Sequence, residues 1–158
     1  MQKFQAKDVE RLKSEIERFS KKYRISFSDF SKLFEKEKYL PISIFNDKLS
    51  PFETVVKFFR ENKEIKFREI SGLLNKDVSA CWLAHQNAKR KSPKKLIYSS
   101  SKYDIPIKEL HSDKLSLLEL ISAYLKDQFK LSFHDIGEML HRNERTIWTA
   151  YNRALKKK

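Results

Sequence analysis

Cysteine occurs once in the chain, as Cys81, so no disulfide can close within it and no thiolate zinc set can be assembled. A small buried apolar side chain in a reducing compartment suits that residue. Glycine occurs only at Gly72 and Gly137, which excludes a glycine-rich loop wrapped around phosphates. The four histidines have no metal-ligand spacing, and His134 and Asp135 are neighbours that diverge on a helix rather than forming an acid/base pair. Long apolar runs are missing too, and the start has no signal-like pattern, so neither a membrane span nor export is expected. Acidic residues are outnumbered, 21 against 34 Lys and Arg. These absences argue against an enzyme, a metal centre and a bound cofactor.

What remains is positive charge spread along the whole chain. The net +13 divides as +4 over residues 1–39, +4 over 40–92, +2 over 93–104 and +3 over 105–158. Charge in every segment points to a polyanionic partner, with nucleic acid first among the candidates.

Residues 49–91 return without a gap as 115–157. A shift of 66 positions superposes Leu49-Ser50 on Leu115-Ser116, Glu53 on Glu119, Phe67 on Phe133, Ile70 on Ile136, Leu74 on Leu140, Trp82 on Trp148, and Ala84 and Ala88 on Ala150 and Ala154. Most of these are apolar or capping positions, so the copies share a fold. Their differences mark where functions diverge.

Three helices are expected in each copy. Ser50-Pro51-Phe52-Glu53 offers an N-cap serine, a first-turn proline and a glutamate that can close a capping box; Ser116-Leu117-Leu118-Glu119 repeats the box. Phe52, Val55, Val56 and Phe59 then form one stripe, as Leu118, Ile121 and Leu125 do later. A short second helix places Phe67, Ile70, Leu73 and Leu74 inward, with Phe133, Ile136, Met139 and Leu140 matching. Breaks at Asn75-Lys76-Asp77 and His141-Arg142-Asn143 precede a third helix that ends in basic residues. The predicted class is all-α: two tandem helix-turn-helix modules of three helices each, behind an N-terminal helical hairpin.

The run Leu131-Ser132-Phe133-His134-Asp135-Ile136-Gly137-Glu138-Met139-Leu140, with Asn143-Glu144-Arg145-Thr146-Ile147-Trp148 and Asn152-Arg153-Ala154, resembles the carboxy-terminal helix-turn-helix of sigma factors, which reads the −35 promoter element. The resemblance covers residues 115–158 well and 49–91 moderately. It implies a DNA-binding module, with His141 where that family commonly has glycine. The expected activity is that of a small transcriptional regulator on double-stranded DNA, cytoplasmic and nucleoid-associated, with RNA polymerase as a further partner. A different class stays open: an adaptor that docks on the transcription machinery or dimerises through its helices.

On the second copy's third helix, Ile147, Ala150, Tyr151 and Ala154 are expected inward. Glu144, Arg145, Trp148, Thr149 and Asn152 then form the base-reading face, Arg145 suiting guanine and Asn152 adenine. Arg142, Thr146, Arg153, Lys156 and Lys157 are placed for phosphate, as are Lys76, Lys89, Arg90, Lys91, Lys94 and Lys95 from the first copy and the segment after it. The first copy's equivalent face is Val78, Ser79, Trp82, Leu83 and Gln86, with no charge among them. Each tryptophan either covers the edge of its core or stacks on DNA.

The domain boundaries follow as residues 1–39, 40–92, a serine-containing basic linker 93–104, and 105–158. In the first of these, Val9, Leu12, Ile16 and Phe19 make one stripe, and Ser26-Phe27-Ser28-Asp29 opens a helix carrying Phe27, Phe30, Leu33 and Phe34. Residues 1–39 are therefore either a degenerate copy that lost its third helix or an unrelated hairpin, and their apolar faces suit a homodimer. Extended arms, Leu40-Pro41-Ile42-Ser43-Ile44 and Ile105-Pro106-Ile107, lead into the modules. Thirteen residues separate Lys91 from Ile105. Fully extended they reach about 40 Å, enough to lay both third helices on one face of a duplex a turn apart, with Lys94, Lys95 and Lys102 crossing the backbone between.

Overall fold

The computed structural model describes residues 5–32 and 38–158, with the backbone alone for Ser31 and Lys32. It is predominantly α-helical, and the chain divides into two units, residues 1–37 and 38–158.

In the first unit, α1 (Ala6–Tyr23) ends where Arg24 turns left-handed and donates its backbone N–H to Ser20 O, and α2 (Phe27–Lys32) follows. Ser26 caps α2: its hydroxyl accepts from Asp29 N and donates to the Asp29 carboxylate. The Phe19 ring lies 4.6 Å from Tyr23 and 5.5 Å from Phe30. No side chain of α1 is buried, and Val9, Leu12, Phe19 and Tyr23 are exposed along its apolar stripe. The expected positions Leu33 and Phe34 fall outside the described residues.

The second unit holds both copies. The first comprises α3 (Pro51–Lys57), a π-turn over Phe58–Asn62, α4 (Phe67–Leu74) and α5 (Val78–Lys91). The second comprises α6 (Leu117–Phe129), α7 (Phe133–Leu140) and α8 (Glu144–Lys157). Both capping boxes form as expected. Left-handed residues end the matching helices at matching places, Glu64 and Lys130 after the first, Asn75 and His141 after the second. Val55, Val56, Ile70, Leu74 and Cys81 of the first copy and Ile121, Leu125, Ile136, Leu140 and Ile147 of the second are buried in one continuous apolar core. Each such aliphatic side chain contributes about 1.5–3 kcal/mol on burial. Ala84, Ala88, Ala150 and Ala154 are buried, small enough for the third helix to sit close on the first. Tyr151, expected inward, is half-buried, because its hydroxyl reaches Asp127 at 2.9 Å. Phe67 and Phe133 are likewise half-buried at the rim, with Arg60 and Lys126 over their rings at 5.1 and 4.5 Å.

The two copies do not stand apart on a tether; they pack on one another with reciprocal contacts. Lys76 Nζ donates to Ser112 O at 3.0 Å and Leu115 O at 3.4 Å. Its repeat equivalent Arg142 donates to Asn46 O at 2.8 Å and Leu49 O at 2.6 Å, the equivalents of those two carbonyls. The arms pair as a two-stranded antiparallel ribbon, β1 (Tyr39–Leu40) with β2 (Ile105–Pro106), in which Leu40 faces Ile105. In the arms the copies align at an offset of 65, so Leu40 and Ile105 are themselves equivalents. A 3-10 turn follows each strand, Ile42–Ile44 and Ile107–Leu110, and each packs on the second helix of the other copy, while α3 packs on α6. Contacts in which i meets j and the equivalent of j meets the equivalent of i define an approximate two-fold axis within one chain.

The segment 93–104, expected as a free linker, is bound down along its length. Leu96 O accepts from Asn62 Nδ2 at 2.8 Å, Tyr98 packs edge-on to Phe58 at 5.1 Å, Ser99 and Ser43 exchange two hydrogen bonds, and Asp104 accepts from Ile42 N at 3.2 Å. The arms also differ from the expectation, since they are half strand and half 3-10 turn.

The tight break before α8 depends on Gly137. A Cβ there would lie 2.6 Å from Arg142 O, whereas one on Gly72 meets nothing within 4 Å. The first copy has Ser71 at the position of Gly137, and its hydroxyl instead donates to Lys76 O. Gly137→Ala is expected to destabilise by about 1–3 kcal/mol through overpacking, while Gly72→Ala, in an exposed helix, is expected to stabilise by about 0.5–1 kcal/mol. Urea denaturation of both variants measures the difference, and equal effects would contradict the close approach at Gly137.

Candidate nucleic-acid interface

On α8, Ile147, Ala150 and Ala154 recur at helical spacing and are buried, which turns Glu144, Arg145 and Trp148 outward. Asn143 caps the helix by accepting from Arg145 N at 2.8 Å. Trp148 is 53% exposed and Trp82, its equivalent, 52%, so each indole offers about half of its surface to solvent. Thr149 and Asn152 are half-buried and folded back on the helix, Thr149 Oγ1 donating to Arg145 O at 2.9 Å and Asn152 Nδ2 to Trp148 O at 2.8 Å. The Arg145 guanidinium has no hydrogen-bond or ion-pair partner among the described residues. Glu144 stands 4.0 Å from His134 Nδ1 in an exposed pair. Arg145 sits between two open grooves. One, of about 460 Å³, is lined by Ser116, Leu118, Glu119, Asn143, Thr146, Thr149, Ala150 and Arg153; the other, of about 310 Å³, by Phe133, Asn143, Glu144 and Trp148.

The expected phosphate contacts separate into two groups. Lys89, Arg90, Lys94, Lys95, Thr146, Arg153 and Lys156 are exposed. Four others are engaged inside the molecule. Arg142 and Lys76 hold carbonyls of the opposite copy, so their donors are directed inward. Lys91 Nζ meets both carboxylate oxygens of Glu53 at 2.9 and 3.0 Å, and Lys157 meets those of Glu119 at 3.0 and 2.9 Å. Both glutamates also accept from the backbone N–H of their N-cap serine, at 3.0 Å in each copy. One carboxylate thus caps the first helix and holds the end of the third. The basic charge at these positions recurs at a spacing of 66, but so does that of the exposed Arg90 and Lys156, so the repeat does not mark which cations are engaged.

Glu119 is nearly enclosed. Burial alone would raise its carboxyl, but the Lys157 hydrogen bond, the Ser116 N–H and the charges of Lys157 and Arg153 outweigh that and hold it below the usual carboxylate range. Burial, with Asp77 nearby, pushes the Cys81 thiol up, which favours its protonated form. The Asp127 hydrogen bond, then burial, raises the Tyr151 phenol.

The first copy's third helix presents a different surface. Val78, Ser79, Trp82, Leu83 and Gln86 are all exposed, so their neutral character is a property of the solvent face. Beneath it lies a charged network that the second copy lacks. Lys57 is fully buried, its Nζ 2.5 Å from Glu61 Oε2, and Glu61 Oε1 is 3.2 Å from His85 Nε2. The second copy has Ala123, Asp127 and Tyr151 in those places.

Among the described residues no helix is long and apolar enough to cross a membrane, and no group of three or more His, Cys, Asp or Glu could hold a metal ion. No known protein family, curated protein or solved structure matches the chain.

Two outcomes are expected. A carboxyl depressed in the folded state stabilises above its unfolded value of about 4.3 and loses that contribution as pH falls through the folded value. Stability of the parent protein should therefore fall on acidification below about pH 4.3 more steeply than that of Glu119→Gln, as followed by denaturation at stepped pH; parallel profiles would remove Glu119 from the clamp. Arg142→Ala should cost about 1.5–3 kcal/mol in urea unfolding, since carbonyls of both copies lose a charged donor. A loss within about 0.5 kcal/mol, typical of a surface change, would show that the inter-copy tie is dispensable.

Proposed function

We propose that the chain is a double-stranded DNA-binding protein built from two helix-turn-helix modules, a small transcriptional regulator in which the second module is the main sequence reader. The observation that carries this reading is the solvent-facing side of α8. There Arg145, whose guanidinium has no hydrogen-bond or ion-pair partner among the described residues, stands beside Trp148, Thr149 and Asn152, with Arg153 and Lys156 along the same helix. Arg145 can place its fork on guanine O6 and N7, and Asn152 can take adenine once its amide leaves the Trp148 carbonyl. Lys89, Arg90, Lys94 and Lys95 supply sequence-independent attraction from the first module and the segment after it.

A second reading has its own observation. Val78, Trp82 and Leu83 form an exposed apolar group on α5, and α1 exposes Val9, Leu12, Phe19 and Tyr23, so either surface suits a protein contact, with the transcription machinery or in a homodimer. The two readings separate by experiment. Selection from a random duplex pool at about 150 mM salt, where charge attraction is weakened, should enrich a preferred sequence for a DNA reader and none for an adaptor.

Arg145→Ala should then cost about 1–3 kcal/mol on the preferred site and relax one base pair, and Ser79→Ala well under 1 kcal/mol. Uniform loss on every duplex would reduce Arg145 to a phosphate contact.

A further inference from the structure

We infer that the chain reads one duplex as an inverted pair of unequal half-sites, with A·T pairs mirrored about the centre and a guanine contact in only one half. This rests on the DNA-binding reading above and goes beyond it in fixing the symmetry and composition of the target. Tandem copies on a loose linker would favour half-sites repeated in the same direction. Here the copies are locked around an approximate two-fold axis by the Lys76 and Arg142 exchanges and by the pairing of Leu40 with Ile105. Two reading heads related by a two-fold axis meet a single duplex through its own two-fold axis, so the sequences beneath them run in opposite directions.

The faces then fix the composition. At equivalent positions α8 offers Arg145, Thr149 and Asn152, and α5 offers Ser79, Leu83 and Gln86. Asn152 and Gln86 both carry a carboxamide, the group that pairs bidentately with adenine, and Thr149 and Leu83 both carry a methyl suited to the thymine methyl. Among these three pairs the Arg145 position differs in kind, a guanidinium against a hydroxyl, and the helix starts beside it differ as well, Glu144 against Val78. The neutral α5 face is therefore an A·T reader lacking the guanine contact.

The test is selection from a random duplex pool with the full chain at about 150 mM salt, followed by the same selection with Arg145→Ala, Ser79→Arg and Gln86→Ala. The expected result is two enriched elements in inverted orientation at one spacing. Arg145→Ala should erase the guanine from one, and Ser79→Arg should introduce a guanine at the mirrored position of the other, making the site palindromic. Gln86→Ala should relax an adenine in that second element and weaken binding roughly tenfold, and its exposed position guards against a failure of Ser79→Arg to fold. Elements in direct orientation, a single element, one duplex per copy, or a Ser79→Arg site unchanged from the parent would each overturn the inference while leaving DNA reading intact. Absence of any enrichment would overturn the DNA reading itself, and this inference with it.

Discussion

A basic side chain in the break between second and third helix, reaching across to the carbonyls of the opposite copy, is the contact on which the larger unit depends. The lead-in at Asn46–Leu49 and its equivalent at Ser112–Leu115 are irregular backbone, whose carbonyls need donors from outside the copy. Arg142 brings a planar group with five N–H donors and bonds Asn46, Leu49, Leu140 and His141; Lys76 brings one ammonium and bonds two carbonyls. Each tie draws a second helix onto the 3-10 turn of the other copy, and the arm ribbon and the α3–α6 contact complete the same interface. The directions in which α5 and α8 present their faces follow from that reciprocal packing.

Within a nearly constant backbone the copies have diverged in two layers. At the surface, one third helix carries Arg145 where the other carries Ser79. In the interior, Lys57, Glu61 and His85 occupy the places of Ala123, Asp127 and Tyr151. A buried charged group must recover its lost hydration through partners, which Glu61 supplies to Lys57, whereas in the second copy Asp127 accepts from Tyr151 and lies 3.7 Å from Lys158. The Glu53–Lys91 and Glu119–Lys157 clamps are unchanged between the copies. The clamps retained in both copies hold the third helix to the first, while Ser71 against Gly137 and Lys76 against Arg142 show that the second helix and the break after it have diverged too.

Local rules account for the part of the fold that is legible in the sequence. Serine caps, capping-box glutamates and the 3.6-residue apolar stripe act within one turn of chain, so Ser50, Ser116, Ser132, Ile70 and Ile136 take the places their neighbours dictate. The same holds for the outward face of α8, because burial of Ile147 and Ala150 leaves Arg145 and Trp148 no other direction. Basic residues follow no such local rule. Lys91, Lys157, Lys76 and Arg142 look like surface cations in one dimension, and only folding brings a carboxylate or a set of carbonyls to their ends.

The sequence by itself determined the helical class, the two copies, the limits of their helices and the chemistry of each third-helix face, since all of these depend on residues within a few positions of one another or on comparison of the copies. Tertiary structure alone decided that the copies share one compact unit, that residues 93–104 lie fastened against it, and which cations remain free. Those outcomes depend on groups 34 to 96 residues apart along the chain, such as Asn62 with Leu96 or Arg142 with Asn46. Hydrogen-bond partners at that separation leave no periodic trace in the sequence, because a side chain reaching a backbone carbonyl demands no particular residue type on the other side.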